Sequence, residues 1–598
     1  MVETGRVNAA RDLADRFHER WLAVHPFAAT VYGIPGYDHL VPDDSEDGRQ
    51  SWRDEVGGYL AGSDGSAGSA GLAGSDGLAR LARLARLARL DGSAGSAGSD
   101  GSAGVGEADG SLDDRITMAV LRSAAGQEID GVDMATVEHT VSAMPFADPG
   151  SFLAVAARTV LVDAAAADSY VARLDAAGPW IDQLTERLRA GAAKGRLPVG
   201  PLVEQAIAWA DALLQPEVPE ALLGPQPPAG WAGADGWEQR RSAAATRSVK
   251  PALARWRTAL VDLLPDCRDG DHGGLCHIPG GDTDYARAIR IHTTLPLTAE
   301  QLHQIGLDHV AALEARAVAL GAELGLGGLD EINDALRASA GQARAEDSIA
   351  AAVGAIRRAE AEAPSIFPPP LPAPCQVTPM PHVVASAGTA PHYTPPRLDG
   401  GRPGTFWFNT ERPTAGTGWD LEVVAFHEAV PGHHLQLSRV QLLDRLPALQ
   451  RQRSVTVFSE GWGLYAEQLA EEAGLYSDRR AELGAISASL MRACRLVLDT
   501  GLHAFGWTRR QALDFYVAHV PLPAEFLAAE IDRYLVMPGQ ALAYLTGKLE
   551  ILRHREAAVE ALGDRFSLPA FHAALLDHGS LPMPVLAESL GAWISGQQ

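Results

Sequence analysis

Apolar residues recur along most of this chain at spacings of three and four, with charged positions between them, in long segments rich in alanine and leucine. That period, close to 3.6, predicts amphipathic helices and a mainly α protein. The segment from Thr298-Ala299-Glu300-Gln301-Leu302 onwards opens with the form of a capping box, in which the Thr298 hydroxyl and the Gln301 side chain serve each other's backbone N–H groups. The stretch from Met491 to His503 reads as another helix, with Arg495 and Asp499 four residues apart and able to pair. Proline clusters at Gln226-Pro227-Pro228 and Phe367-Pro368-Pro369-Pro370-Leu371-Pro372 mark loops or lobe junctions.

Two stretches depart from the helical period. From 61 to 106, Gly, Ser, Ala and Asp repeats flank Leu78-Ala79-Arg80 and its copies through Leu90. Leucines three residues apart drift about 60° per repeat around a helix and build no fixed apolar face, so this stretch reads as a low-complexity, flexible insert. Gly404-Thr405-Phe406-Trp407-Phe408-Asn409-Thr410 is short, aromatic and bounded by turn formers, which predicts a strand. An extended peptide could add to the edge of such a sheet; the alternative is a buried hairpin strand.

Composition narrows the class. A formal net charge of −25 argues against nonspecific attraction to nucleic acid or to an anionic membrane. No apolar run approaches the roughly 20 residues that span a bilayer, and Met1-Val2-Glu3-Thr4-Gly5-Arg6 has no basic region followed by an apolar core. The expectation is a cytoplasmic protein whose four cysteines, Cys267, Cys276, Cys375 and Cys494, are reduced. A length of 598 residues would suggest about four domains by a simple length prior, although large helical enzymes also fold as one body with two lobes around a cleft.

Candidate chemistry concentrates in Ala425-Phe426-His427-Glu428-Ala429-Val430-Pro431-Gly432-His433-His434. A neutral imidazole is a good zinc ligand, and a carboxylate beside the metal can take a proton from a water whose pKa zinc lowers from 15.7 to about 7. The spacing departs from H-E-x-x-H, in which two histidines share a helical face, because Pro431 stands where the second histidine would be. Pro431 has no N–H for the carbonyl four residues back, which is that of His427, so the helix should bulge or break. Gly432 would then let the chain return His433 to the place of an i+4 ligand, with His434 as the other candidate.

Ser459-Glu460-Gly461-Trp462-Gly463-Leu464-Tyr465-Ala466-Glu467 reads as a second helix offering Glu460 as a third ligand. Glu467, seven residues further, shares its face and could orient a ligand imidazole. Cys267-Arg268-Asp269-Gly270-Asp271-His272-Gly273-Gly274-Leu275-Cys276-His277 holds soft ligands at a spacing that matches no paired zinc module, and Ala390-Pro391-His392-Tyr393 is a loop that could line the cleft.

These motifs, with Arg533-Tyr534-Leu535-Val536-Met537-Pro538-Gly539-Gln540-Ala541-Leu542-Ala543-Tyr544, resemble the bacterial domain-of-unknown-function 885 family. The resemblance runs from Pro26-Phe27-Ala28-Ala29-Thr30 through His292-Thr293-Thr294 to the P-G-Q-A segment. That family is similar in fold to the carboxypeptidase Taq type of metallopeptidase. The resemblance implies a large, helical, two-lobed gluzincin with a central cleft and a small sheet beside the metal helix. It carries over His427, His433 and Glu460 as zinc ligands, Glu428 as general base, and a tyrosine supporting the oxyanion.

Tyr534 and Tyr544, flanking the Pro538-Gly539 turn, are the candidates for that tyrosine; the alternative is two core phenols. Arg492 or Arg495 could bind a substrate carboxylate bidentately, with Asp499 as a structural partner, while His503 reads as a core histidine or one lying behind a ligand. The organisation expected is 1–60 as the N-terminal helical part of the catalytic body, 61–106 as the insert and 107–598 as the remaining body, with the metal site at 427–460. The function expected is zinc-dependent hydrolysis of short peptides, as a carboxypeptidase, dipeptidase or oligopeptidase, with one zinc per chain. A non-catalytic helical scaffold with a structural or vestigial metal site is the competing class, against which the base-like Glu428 argues.

Overall fold

A computed structural model describes residues 3–64, 111–339, 344–380, 385, 390–410 and 418–597. The protein is mainly α with one small sheet. Its principal elements, in chain order, are α1 (Glu3–Val24), α2 (Glu46–Asp64), α3 (Leu112–Met134), α4 (Ala164–Ala193), α5 (Lys250–Leu263), α6 (Gly281–Thr293), α7 (Ala299–Glu323), β1 (Gln376–Pro379), β2 (His392–Thr394), β3 (Thr405–Phe408), α8 (Leu421–Glu428), α9 (His433–Gln441), α10 (Thr456–Glu472), α11 (Arg479–His503), α12 (Ala524–Val536) and α13 (Ala543–Leu562). Apart from its first four residues, which prolong α2 to Asp64, the insert expected at 61–106, with its leucine repeat, lies outside the described residues.

The capping box forms as expected: the Gln301 N–H donates to Thr298 Oγ1 at 3.3 Å and the Thr298 N–H to Gln301 Oε1 at 2.9 Å. The helix it starts, α7, packs along α11. The apolar core falls into two clusters. The smaller is built on α4 and α5 around Tyr170, Trp180, Trp237 and Trp256; the larger holds α3, α6, α7 and every helix from α8 to α13. Two cavities, of about 980 and 270 Å³, have walls drawn from both clusters and share Val137 and Asp148.

The expected strand is β3, central in a three-stranded sheet of order β1-β3-β2, parallel to β1 and antiparallel to β2. Phe406 and Phe408 of β3 are buried, and β2 is an edge strand that lies against the end of α8.

What brings the elements of the site together is a backbone-to-backbone crossing of α10 and α13. A Cβ on Gly461 would lie 2.4 Å from Gly547, and one on Gly547 would lie 1.9 Å from the Val457 carbonyl. Only glycine on both sides permits that approach. It sets Glu460, next to Gly461, against the helix that carries Tyr544.

Candidate metal centre

α8 ends at Glu428 and α9 begins at His433, so the chain breaks where Pro431 removes the helical donor. The Trp462 indole of α10 donates to the carbonyls of Pro431 and Gly432, at 3.0 and 3.1 Å, and pins the linking turn. A Cβ on Gly432 would stand 1.8 Å from the His427 carbonyl; any other residue would push the turn off the end of α8. This fold-back aims His433, not His434, at the last turn of α8.

Among the described residues one trio could hold a metal: single donor atoms of His427, His433 and Glu460 lie within 4.8 Å of one another. His427 Nε2 and His433 Nε2 are each 3.6 Å from Glu460 Oε2. That is too long for a hydrogen bond and close to the roughly 3.4 Å between two donors bonded at about 2.1 Å in a tetrahedral zinc site. His427 Nδ1 meets Glu467 Oε1 at 2.8 Å, which fixes the ring and leaves Nε2 as its free nitrogen. His433 Nδ1 is buried with no hydrogen-bond partner.

His434, in contrast, is committed elsewhere. Its Nε2 donates to the Ala373 carbonyl at 2.7 Å and its Nδ1 accepts from the Tyr393 hydroxyl at 3.0 Å.

Glu428 lies beside the trio and is half-buried. Its Oε2 accepts the Tyr393 backbone N–H from the edge strand β2 at 2.8 Å, so this edge donor faces α8 and not an added strand. Burial lifts the Glu428 carboxyl above its ordinary range, against the pull of His433 and His427. Burial opposes charge on His427 as well, but Glu460 and Glu467 outweigh it and raise the imidazole to about 9. The reciprocal effect holds Glu460 well below the usual carboxylate range despite its burial. Glu467 is likewise lowered despite burial, by Arg492 and His427; Arg492 stands 3.9 Å behind it. The metal-free cluster is thus a proton trap, with carboxylates stabilising charge on His427.

The two candidate tyrosines part company. The Tyr544 ring is stacked near His427, with centroids 6.5 Å apart, and its hydroxyl accepts from Gln540 Nε2 at 3.3 Å. The Tyr534 hydroxyl donates to Glu530 at 3.1 Å, accepts from Arg495 Nε at 3.2 Å and meets the Tyr516 hydroxyl at 2.9 Å.

One expected pairing does not form. Arg495 bonds Glu530 of α12 at 2.9 Å and not Asp499. Asp499 instead accepts from the Tyr285 hydroxyl at 2.7 Å and from the Gly539 N–H at 3.0 Å, and burial raises it to about 7. Spacing along α11 offered the pair, but α12 and the Met537–Gln540 turn arrive with better partners. His503 takes a core role, accepting the Leu275 N–H and donating to the Tyr534 carbonyl. The 267–277 segment folds as short turns with free thiols.

The sequence does not mark Trp462 as the clamp on the turn, and Tyr393 reads there only as a loop residue that could line the cleft. An indole within S-E-G-W-G was visible; a backbone N–H directed at Glu428 leaves no mark in sequence. Gly463 belongs with them: a Cβ there would stand 2.4 Å from the His427 ring, so its absence lets the imidazole lie against α10.

A family model described as a bacterial protein of unknown function (DUF885) matches residues 26–590. No curated protein matches the chain. Among solved structures, a provisionally designated lipoprotein from Colwellia psychrerythraea is similar at 25% identity and a TM-score of 0.82, over 99% of each chain. A second provisionally designated lipoprotein, of unknown function, from Shewanella oneidensis is 15% identical with a TM-score of 0.66, over 97% of this chain and 99% of its own, a likeness of fold alone. No helix among the described residues is long and apolar enough to cross a membrane.

Proposed function

We propose that this chain, which belongs to the DUF885 family of bacterial proteins, is a zinc-dependent peptidase of the gluzincin kind acting on short peptides. The observation that carries the reading is the convergence of His427, His433 and Glu460 beside a half-buried carboxylate, Glu428, next in sequence to one of the three. Two imidazoles and one carboxylate suit zinc and leave a fourth position open. Zinc held there would supply a Lewis acid and a water of lowered pKa.

The rest is the work of the chain's own groups. Glu428, raised above an ordinary carboxyl by burial, is suited to taking a proton from water and delivering it to the leaving amine. The Tyr393 N–H steadies one of its oxygens and leaves the other for that transfer. Tyr544 accepts from Gln540, which frees its own proton for the oxyanion that forms at the scissile carbonyl. Tyr534 already gives its proton to Glu530 and suits that role less. Glu467 keeps the Nδ1 proton of His427 and so holds the ligand tautomer. The larger cavity reaches Thr456, one turn before Glu460 on α10, and the smaller reaches Val536, Met537 and Pro538; neither is lined by the trio itself, and the two are the proposed approach for substrate, as in a two-lobed enzyme with a cleft. A cytoplasmic location remains part of the proposal; the lipoprotein designation belongs to the two neighbours, and cell fractionation distinguishes the two locations.

The direct test is a panel of short peptides incubated with zinc-loaded protein, with and without a chelator. Cleavage of some members, lost on chelation and restored by zinc, is expected. A protein that cleaves none of them fully loaded would leave the scaffold reading in place.

The pH dependence has a definite sign. In the metal-free protein Glu460 and Glu467 raise His427 from an ordinary 6.5 to about 9 against the opposing effect of burial, so it should keep its proton at neutral pH. Zinc must displace that proton, so its apparent affinity should rise by about tenfold per pH unit from 6.5 towards 9 and level off above. Because the folded pKa is raised, His427 stabilises the metal-free fold fully below pH 6.5 and loses that contribution as pH approaches 9. Thermal melts of chelated protein should therefore fall across that window, while those of zinc-loaded protein do not. A flat chelated series would contradict the proton trap.

A further inference from the structure

Two guanidiniums, Arg495 on α11 and Arg533 on α12, share a single carboxylate. Arg495 Nη2 donates to Glu530 at 2.9 Å, and Arg533 donates to the same carboxylate through Nε and Nη2 at 3.1 and 2.9 Å. The three side chains are 8%, 16% and 13% exposed, in the order Arg495, Arg533, Glu530. The cluster therefore carries one surplus positive charge with little water to offset it, an arrangement that is costly unless an anion completes it. Asp499 feels the Arg533 charge but bonds neither guanidinium, its bonds running to Tyr285 and the Gly539 N–H.

Unspent donor capacity points the same way. Arg495 Nη1 is buried without a hydrogen-bond partner, and Arg533 Nη1 donates only to the neutral Gln540 Oε1, at 2.7 Å. The cluster also borders the trio: Arg495 Cζ stands 4.4 Å from the centre of the Tyr544 ring, the ring that stacks near His427.

We infer that Arg495 and Arg533 form the subsite for the terminal carboxylate of a peptide substrate, which makes the enzyme a carboxypeptidase. This rests on the hydrolase reading above. A terminal carboxylate lies one residue beyond the scissile carbonyl, about 3.5 Å along an extended chain; adding a metal–oxygen contact at one end and guanidinium–carboxylate bonds at the other gives a reach of roughly 10 Å, the scale on which Arg495 stands 4.4 Å from the Tyr544 ring centre and that ring 6.5 Å from His427. The incoming carboxylate replaces Gln540 as the acceptor from Arg533, gives Arg495 Nη1 a partner, and cancels the surplus charge through charge-assisted bonds. The same chemistry could recognise an acidic side chain at that position, so the test separates the two sources.

Binding of N-acetyl-Ala-Ala, its C-terminal amide and N-acetyl-Ala-Glu amide is measured by calorimetry on full-length zinc-loaded Glu428→Gln protein. The free acid should bind about 10- to 100-fold tighter than either amide, as expected for charge-assisted bonds to one carboxylate. That preference should shrink towards unity in Arg533→Gln and survive in part in Arg533→Lys, which keeps the charge but not the fork. Equal binding of acid and amide overturns the subsite without recourse to any Arg533 variant, and so does a preference for the glutamyl amide. Parallel hydrolysis by the unsubstituted protein separates the two readings. Acid and amide cleaved equally well would sink the subsite and spare the peptidase, whereas an acid preference in binding with no hydrolysis would do the reverse.

Discussion

Glu428→Gln should lower peptide turnover by about 100- to 10,000-fold, the range of general acid–base catalysis, while zinc stays at one per chain. The substitution is nearly isosteric, and the amide oxygen can still accept the Tyr393 N–H that now reaches Oε2. It removes none of the three converging donors, so metal content should not change. Burial disfavours the charged form of Glu428, so a neutral amide there should leave the melting temperature unchanged or raise it. Lost activity in a protein that is equally stable and equally loaded would then report chemistry and not unfolding. The measurements are kcat on a cleavable peptide, metal by mass spectrometry and a thermal melt. Full activity in this variant would remove Glu428 from the proton-transfer role and the peptidase reading with it.

The parts of the site that were legible in the sequence are those that act within one segment. The helical period gave the mainly α class, and Thr298 and Gln301 gave a helix start, because both signals are local. The break after Glu428 could be read because a proline removes a donor wherever it stands, and the preference for His433 followed from where the chain must return. The illegible parts depend on which segments meet. Arg495 looked paired with Asp499 because spacing along one helix was all that could be seen, whereas α12 supplies Glu530 and the Gly539 turn takes Asp499. The crossing at Gly461 and Gly547 needs two glycines 86 residues apart to coincide in space, and no periodicity within either helix announces it.

Removing the histidines one at a time should separate ligand from neighbour. His427→Ala and His433→Ala should each weaken zinc by more than the roughly 10- to 100-fold typical of losing a group behind a ligand, because each deletes one of three donors. His434→Ala should keep zinc at one per chain, yet cost stability. Its imidazole is buried and bridges the Ala373 carbonyl and the Tyr393 hydroxyl, and leaving buried polar groups unpaired costs about 1–3 kcal/mol. The two histidines are neighbours in sequence and should therefore fail in opposite ways: one variant melts near the normal temperature when metal-free but does not load, the other loads but melts early. Titration against a chromophoric chelator and melts of the chelated proteins give both readings. If His434→Ala loses zinc while His433→Ala retains it, the turn clamped by Trp462 presents the wrong residue and the trio must be redrawn. The opposite-failure pattern would instead mean that the Pro431-Gly432 fold-back, held by Trp462 and by the lack of a side chain at Gly432, is what replaces the missing i+4 histidine in this chain.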